Sequence, residues 1–430
     1  MKNIKSRLII MNFLQFAVWG SYLTSMGGYL FAAGYGELIG WFYAMQGIVS
    51  MFMPAIMGII ADKLIPAQRL LGLCHGIAAL FIAGAGFCGQ NDMLWPMFTL
   101  YSLSVAFYMP TLALSNSVAY TILEQGGYDT VKAFPPIRVF GTVGFIVAML
   151  VCDFAGFQSS PVQFFQCAII GVVLAVYAQM LPNCPVNRSS ENKSFAQRLG
   201  LDAFKLFKNK QMAMFFIFSM LLGVSLQITN GFANRFITSF KNIPEFANTF
   251  GANHANALIS LSQVSETLCI LLIPFCLKRF GIKRVMLIAM FAWVLRFGLF
   301  GLGNPGSGLW MFILSMIVYG VAFDFFNISG SLFVNENTSG QMRSSAQGLF
   351  MIMTNGIGAT VGTLGAQAVV NRLVPATESV DGVVTNGLSV VEGWSTTWLA
   401  FAGYALVVAL LFMVLFRYKH DANKQMDINH

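Results

Sequence analysis

Twelve long apolar segments restrict the fold of this chain more than any other feature of its sequence. Each is about 20 residues long or longer, the length of α-helix that spans the hydrocarbon core of a bilayer. Charged residues make up only 10% of the chain and the mean hydropathy is +0.69, whereas about a quarter of the residues of a soluble domain are charged. The sequence therefore predicts an all-α integral membrane protein with twelve transmembrane helices. The predicted spans are residues 8–33, 38–60, 68–88, 94–121, 134–157, 162–181, 211–235, 254–277, 284–302, 308–334, 344–370 and 394–416.

The positions of the basic residues predict the orientation of these spans. With the N-terminus placed inside, most of the 25 lysines and arginines lie in or beside cytoplasmic segments, as the positive-inside rule requires. Both termini are then cytoplasmic. The formal charge of +8 does not indicate a nucleic-acid partner, because the charges are scattered among short loops that face lipid head groups. The first apolar segment exceeds a signal-peptide core and has no small-residue cleavage site, so we expect an uncleaved span.

The longest cytoplasmic connection divides the spans into two groups of six. It covers residues 182–210, between an N-terminal half at 1–181 and a C-terminal half at 211–418, and a cytoplasmic tail follows at 419–430. We expect the connection to act as a hinge linker. Apolar residues near helical spacing among basic ones indicate a short helix at the membrane surface, and a linker with incidental periodicity is an equally good interpretation. The apolar residues are Phe195, Leu199, Phe204 and Phe207.

A faint internal repeat agrees with this division. The charged turn GIIADKLIPAQR at 58–69 follows the second span, and FCLKRFGIKR at 275–284 follows the eighth. Two six-helix halves with internal repeats are the layout of major facilitator transporters, whose substrate site lies near the midplane between the halves. The first turn resembles the loop signature of that superfamily at Gly58, Asp62 and Lys63, although the glycine that usually follows is missing and the second copy departs further.

Two acidic residues lie deep within predicted spans of the C-terminal half. Asp324 interrupts the apolar stretch SMIVYGVAFDFFNISGS at about ten residues, or roughly 15 Å of helix, from its cytoplasmic end. A charge at that depth costs about 2.5 to 3.5 kcal/mol on insertion scales, so we expect a functional role. Glu266, in LSQVSETLCILL, is comparably deep. Because burial favours the neutral form of a carboxyl group, we expect Asp324 or Glu266 to take up a proton outside and release it inside.

Carboxamide side chains accompany these acids at helical spacing. Gln263 and Glu266 are three residues apart and share a helical face, as do Gln227 and Asn230 in the seventh span. Carboxamides offer both donors and acceptors, which suits a neutral heterocycle or a sugar. Each of them is also a candidate for a structural hydrogen bond between membrane helices.

The fifth span carries a further polar and aromatic face. Arg138, Thr142 and Phe145 fall at positions i, i+4 and i+7, and we expect this face to line the same cavity as the carboxamides. Phe145 and Phe323 would stack on or clamp a planar ring. Arg296 is also deep, but on a span expected to be peripheral, so we expect it to be a partner of a buried carboxylate or a snorkelling side chain.

Reactive clusters typical of an enzyme or a metal site are not apparent in the sequence. The four histidines are dispersed and show no metal-ligand spacing. The seven cysteines form no CxxC pair and fall mostly within spans, where they are expected to be small core residues. We therefore expect neither an enzyme nor a bound cofactor or metal.

Segments from nearly the whole chain resemble the nucleoside:proton symporter family of the major facilitator superfamily, the bacterial inner-membrane nucleoside permeases. The outer loop at 371–393 resembles the family least. The matching segments are FLQFAVWGSYLTSMGGY, FMPAIMGIIADK, FYMPTLALSN, FPPIRVFGTVGF, GLDAFKLFKNK, FFIFSMLLG, LQITN, SQVSETLCILLIPF, SMIVYGVAFDFFNISGS, SAQGLFMIMTNG and FAGYALV.

The resemblance implies the substrate class, which spacing alone leaves at a polar, neutral solute. It implies uptake of nucleosides such as uridine and adenosine together with protons, by a monomer in the bacterial inner membrane. Asp324 is implicated in proton coupling, and Glu266 in both coupling and binding. The residues implied to form the substrate pocket are Arg138, Thr142, Phe145, Gln227, Asn230, Gln263, Glu266, Tyr319 and Phe323.

Two other functions are compatible with the residues themselves. One is proton-coupled transport of another neutral polar solute, such as a sugar, on the same fold. The other is a nontransporting nucleoside sensor, which binds its ligand without uptake. Competition of labelled uridine uptake by sugars and nucleobases separates the first from nucleoside transport, and a vesicle uptake assay separates the second.

Overall fold

The computed structural model describes residues 3–186, 201–338, 340–381 and 383–418, with side chains except at 62, 63, 131, 201, 202 and 340–344. Three sequence predictions therefore fall outside the described residues: the apolar positions Phe195 and Leu199, the tail at 419–430, and the side chains of Asp62 and Lys63 in the loop signature.

The described residues form two compact units, one within Met1–Leu199 and one within Gly200–His430. The first unit contains α1 (Ile4–Gly20), α2 (Met26–Ala32), α3 (Ile39–Ser50), α4 (Met53–Lys63), α5 (Ala67–Gln90), α6 (Leu94–Gln125), α7 (Thr130–Phe154) and α8 (Val162–Gln179), with short 3₁₀-helices at Gly36–Leu38 and Phe157–Ser159. The second unit contains α9 (Lys210–Leu226), α10 (Ile228–Ser239), α11 (Phe250–Asn253), α12 (Ala255–Phe280), α13 (Ile282–Leu302), α14 (Leu309–Asn337), α15 (Gly340–Met351), α16 (Ala359–Leu373) and α17 (Gly387–Leu415). It also has 3₁₀-helices at Leu201–Lys208 and Phe240–Asn242, a π-helix at Ile352–Gly358, and an antiparallel pair of two-residue strands, β1 (Ser379–Val380) and β2 (Val383–Val384).

Ten helical segments of the described chain are long and apolar enough to cross a membrane, and α3 and α4 form an eleventh that is bent by 41°. Pro54 at the start of α4 accounts for this bend, because proline disfavours helical geometry in the residue before it. The prediction of one continuous helix at 8–33 is wrong. There α1 and α2 are separated by a turn, and α1 has only 17 residues. The hydroxyl of Ser21 donates to the Ala17 carbonyl at 2.8 Å, a local bond that competes with the helical ladder.

Two further spans are helical but irregular. The seventh is interrupted at Gln227, between α9 and α10. The eleventh passes through the π-helix at Ile352–Gly358, a geometry that is rare and often found at functional positions. A Cβ atom on Gly223 of α9 would collide with the carbonyl oxygen of Thr354 in this π-helix, so the two segments pack backbone against backbone.

Each unit has its own apolar interior. In the first, α1 and α7 are in backbone contact where Gly144 meets Phe13. In the second, aromatic rings from several helices surround Phe236, including those of Trp398 at 5.7 Å and Phe312 at 5.6 Å between centroids. Large apolar side chains also cover the outer faces, among them Leu271, which is 74% exposed. Such faces suit contact with lipid rather than with water.

The turns that suggested an internal repeat follow corresponding helices. The first lies between α4 and α5, and the second between α12 and α13. Part of the predicted surface helix in the connection at 182–210 is also described. It forms the 3₁₀-helix Leu201–Lys208, in which Phe207 stacks on Phe216 of α9 with ring centroids 5.5 Å apart.

Candidate functional site

In the second unit, α12 and α14 touch at Gly320. A Cβ atom at this position would lie 2.5 Å from the Ser265 carbonyl oxygen and 2.8 Å from the sulfur of Cys269, closer than real Cβ atoms approach, so only glycine fits. Glu266 follows Ser265 in the chain, and Tyr319 precedes Gly320. The close crossing therefore brings the two predicted site residues to the same level of the unit.

Contacts on either side of this crossing show that α12 and α14 run parallel. The hydroxyl of Ser262 donates to the sulfur of Met316 at 3.1 Å, and further along both helices Cys269 interacts electrostatically with Asp324. Residue numbers rise together along the two helices. Since one helical turn rises about 5.4 Å, Ser262, Glu266 and Asp324 occupy three successive levels.

The structure brings the two deep acids close to Tyr319. Asp324 lies near the middle of α14 and is only 6% exposed, whereas Glu266 is partly buried. Tyr319 interacts electrostatically with both of them, and its ring stacks on that of Phe323 with centroids 5.6 Å apart and planes 15° apart. Acidic and aromatic groups thus share one cluster in the second unit.

Arg296 of α13 belongs to the same cluster. Its guanidinium donates to the Ser315 carbonyl at 2.7 Å and to the Ser262 hydroxyl at 3.4 Å, and it lies over the Tyr319 ring at 4.5 Å. The prediction of a snorkelling side chain is wrong, because Arg296 is only 2% exposed. In the described part of the chain these contacts are made to serine and tyrosine rather than to a carboxylate.

The carboxamides of the seventh span lie at its interruption. Asn230 donates through its amide nitrogen to the side-chain oxygen of Gln227 at 2.9 Å, the contact that the i, i+3 spacing predicts. This bond uses neither the Gln227 amide nitrogen nor the Asn230 side-chain oxygen. Gln263 is partly buried on α12, three residues before Glu266. The ligand contacts of these carboxamides stay a prediction.

In the first unit, the predicted face of α7 meets two aromatic residues of α1. The Arg138 guanidinium lies 3.9 Å from the centre of the Phe16 ring. Phe145 is buried and packs edge-on against Trp19 at 6.2 Å between centroids. Thr142 lies between them on α7 and is partly buried. Their role in substrate binding stays a prediction.

Sequence reasoning missed several polar groups of the first unit. The indole N–H of Trp19 is buried without a hydrogen-bond partner among the described residues. His75 contacts the side-chain oxygen of Gln15 at 2.7 Å, and the amide of Gln15 donates to Thr111 at 2.8 Å. Asp153, which the sequence places near the end of its span, is more buried than that position suggests, at only 2% exposed. The signal for each of them was a side chain with a polar atom inside a long apolar segment.

A family model described as "Nucleoside H+ symporter" matches residues 1–421. This chain belongs to the nucleoside H⁺ symporter family. The nucleoside permease NupG of Escherichia coli (strain K12) is 47% identical over 421 residues, covering 97% of both chains. The xanthosine permease of the same organism is 48% identical over 425 residues, covering 98% of both.

Solved structures agree with this membership. A crystal structure of the nucleoside transporter NupG superposes with a TM-score of 0.90 at 46% sequence identity, covering 96% of this chain and 100% of that one. The expected major facilitator fold is thereby confirmed. The chain is a multi-pass membrane transporter for nucleosides and protons, and not an enzyme.

All seven cysteines are free thiols, and six of them are buried.

The crossing at Gly320 carries a prediction for stability. Replacing Gly320 by valine should lower the thermal unfolding midpoint of the detergent-purified protein by at least a few degrees, because overpacking a tight contact costs about 1 to 3 kcal/mol. Gly298→Val on α13 is a matched control, since a Cβ atom there meets nothing within 4 Å. Equal midpoints for the two variants would contradict the backbone contact between α12 and α14.

Proposed function

We propose that this transporter takes up nucleosides across the bacterial inner membrane with protons, as a monomer whose termini are both cytoplasmic. Family membership supports the substrate class, and the distribution of basic residues supports the orientation. The observation that carries the proposal is the cluster of Asp324, Glu266 and Tyr319 inside the second unit. Two carboxyl groups beside a stacked aromatic pair combine proton uptake with recognition of a planar ring.

Proton coupling is assigned to the two acids. A buried carboxylate is costly in a low dielectric, so the protonated form is favoured while the site is sheltered from water. Protonation from outside prepares the cluster for nucleoside binding and alternating access, and release of the proton inside resets it. Each proton that enters down 100 mV contributes about 2.3 kcal/mol, which is enough to concentrate a neutral solute about fiftyfold.

Substrate binding is assigned to the carboxamides and rings. Gln227, Asn230 and Gln263 offer donors and acceptors to the base and the ribose, and Glu266 accepts from a hydroxyl or N–H group. Tyr319 and Phe323 offer a stacked face to the base. We assign Arg138, Thr142 and Phe145 of the first unit to the same substrate.

Reconstituted vesicles test this assignment directly. Purified protein in vesicles with an inward proton gradient should accumulate labelled uridine, adenosine and guanosine, and collapse of the gradient by a protonophore should abolish the accumulation. Xanthosine belongs in the panel because one relative is a xanthosine permease. Accumulation of a sugar instead of nucleosides would favour transport of another solute, and binding without uptake would favour a sensor.

The orientation has a separate test. A reporter fused after residue 418 that is active only in the cytoplasm should show full activity in intact cells. A matched fusion within the predicted outer loop at 371–393 should be inactive. The reverse pattern would overturn the assignment of both termini to the cytoplasm.

A further inference from the structure

Arg296 is a buried cation that the coupling scheme above does not use. Its side chain is 2% exposed, and its hydrogen bonds to the Ser315 carbonyl and the Ser262 hydroxyl hold the guanidinium between α12 and α14. The Ser315 hydroxyl donates in return to the Arg296 carbonyl at 3.0 Å. A guanidinium stays protonated in proteins, so a permanent positive charge lies in the interior of the second unit.

The anchoring serines place this charge one helical turn from the site. Ser262 precedes Glu266 by four residues on α12, and Ser315 precedes Tyr319 by four on α14, which corresponds to a rise of about 6 Å in each case. The guanidinium also lies 4.5 Å from the centre of the Tyr319 ring. Tyr319 interacts electrostatically with Arg296, Glu266 and Asp324, so one aromatic side chain connects the cation to both acids.

The charged and titratable groups around Arg296 can be counted from the helices packed against α13. From α12 come Glu266 and the thiol of Cys269, and from α14 come Tyr319 and Asp324. From α17, the ring of Trp398 packs against Phe297 of α13 with centroids 5.8 Å apart, and the acidic residue Glu392 is exposed. The cluster therefore holds one fixed positive charge and two carboxyl groups.

We propose that Arg296 is a fixed counter-charge for the pair Glu266 and Asp324, so that a single proton makes the cluster electrically neutral. With both acids ionised the cluster carries one net negative charge, and one proton removes it. A second proton would leave a net positive charge in a low dielectric, which is costly. The structure thus points to one proton per nucleoside. This inference rests on the proposed function and adds a positioning residue and a stoichiometry to it.

Removal of the Arg296 charge should shift the pH dependence of nucleoside exchange in one direction. A nearby positive charge favours the ionised form of a carboxyl group, so without Arg296 both acids hold their protons more tightly. Nucleoside exchange between the two sides of a vesicle at equal pH requires the protonated, loaded carrier, and it falls as pH rises. Its midpoint should therefore move toward alkaline pH by about one unit in Arg296→Gln. Release of protons inside becomes harder, so net proton-driven uptake should fall about tenfold or more while exchange continues.

Two variants separate charge from structure. Arg296→Lys keeps the positive charge but loses the planar fork that reaches Ser315 and Ser262, and its midpoint should stay within about half a pH unit of the unmodified protein. Arg284→Gln removes an exposed arginine from the cytoplasmic end of the same helix and should leave the midpoint unchanged. A purely structural role for Arg296 predicts instead that both Arg296 variants lose activity at every pH without any shift.

The stoichiometry is measured on the unmodified protein and needs no variant. With equal pH on both sides and a neutral nucleoside, a tenfold inward concentration ratio should be balanced by a membrane potential of about 59 mV for one proton. A balancing potential of about half that value, which corresponds to two protons, would overturn the inference, as would an unshifted midpoint in Arg296→Gln. If the unmodified protein neither exchanges nor accumulates nucleosides, the proposed function itself fails.

Discussion

Replacing Asp324 by asparagine is expected to abolish proton-driven nucleoside accumulation while exchange of nucleoside across the membrane continues. Asparagine has nearly the same shape as a protonated aspartic acid but cannot release a proton, so the carrier stays in the form that binds and exchanges substrate. For one proton and a potential of about 100 mV, the expected ratio of nucleoside concentration inside to outside falls from as much as about fifty down to about one. Vesicles with an imposed potential and labelled uridine measure both activities in one preparation.

The control for this variant lies on the same helix. Glu336→Gln removes an exposed carboxylate near the end of α14, where it accepts a hydrogen bond from Tyr418 at 3.1 Å. Its accumulation ratio should equal that of the unmodified protein. If Asp324→Asn still concentrates uridine against its gradient in a proton-dependent manner, Asp324 is not the coupling residue and Glu266 must carry that role alone.

Replacing Gln227 by alanine is expected to weaken nucleoside binding about tenfold or more. The change removes an amide that we assign to the substrate and also leaves the amide nitrogen of Asn230 without its Gln227 partner. Loss of one partner of a buried hydrogen bond costs about 1 to 3 kcal/mol, this pair is partly buried, and 1.4 kcal/mol corresponds to a factor of ten. Calorimetric titration of the purified protein with uridine measures the dissociation constant without depending on transport.

A second glutamine of the same unit supplies the comparison. Gln347 of α15 donates to the Ser331 carbonyl at 2.7 Å and to Asn335 at 2.9 Å, so its amide is occupied by structural bonds. Gln347→Ala should lower stability and leave the dissociation constant unchanged. Equal affinities for Gln227→Ala and the unmodified protein would assign the pair of Gln227 and Asn230 to helix packing, the alternative role of carboxamides in membranes.

The depth of the acids and the shared face of Gln227 and Asn230 could be inferred from the sequence, because a charge in an apolar span is costly and residues three apart lie on one side of a helical turn. Asp324 was identified by the cost of a charge in an apolar span, and the structure buries it. The contact between Gln227 and Asn230 followed from the geometry of a helical turn. Arg296 shows where such reasoning ends. The sequence indicates that Arg296 lies deep in its span. Its partners Ser262 and Ser315 lie on two other helices, and a single sequence does not show which residues of different helices are in contact.

Helix continuity was predicted less well than helix position. An apolar segment indicates that its residues are shielded from water. A continuous helix and an interrupted helix are equally apolar, so hydropathy does not distinguish them. The turn after Ser21, the bend before Pro54 and the π-helix at Ile352–Gly358 depend on local hydrogen bonds and on contacts such as that of Gly223 with Thr354. These are properties of the backbone in its packed state.

The sequence by itself determined that this chain lies in a membrane, which helical faces are polar, and which family it resembles. The first two follow because burial in lipid constrains the composition of each span and the spacing of its polar residues. Tertiary structure alone decided which of those polar groups meet. The contact of α12 with α14 at Gly320 places Glu266 beside Tyr319, and the bonds of Arg296 to Ser262 and Ser315 add a cation to the two acids. Interactions between charges depend on distances across helices, and only packing sets those distances.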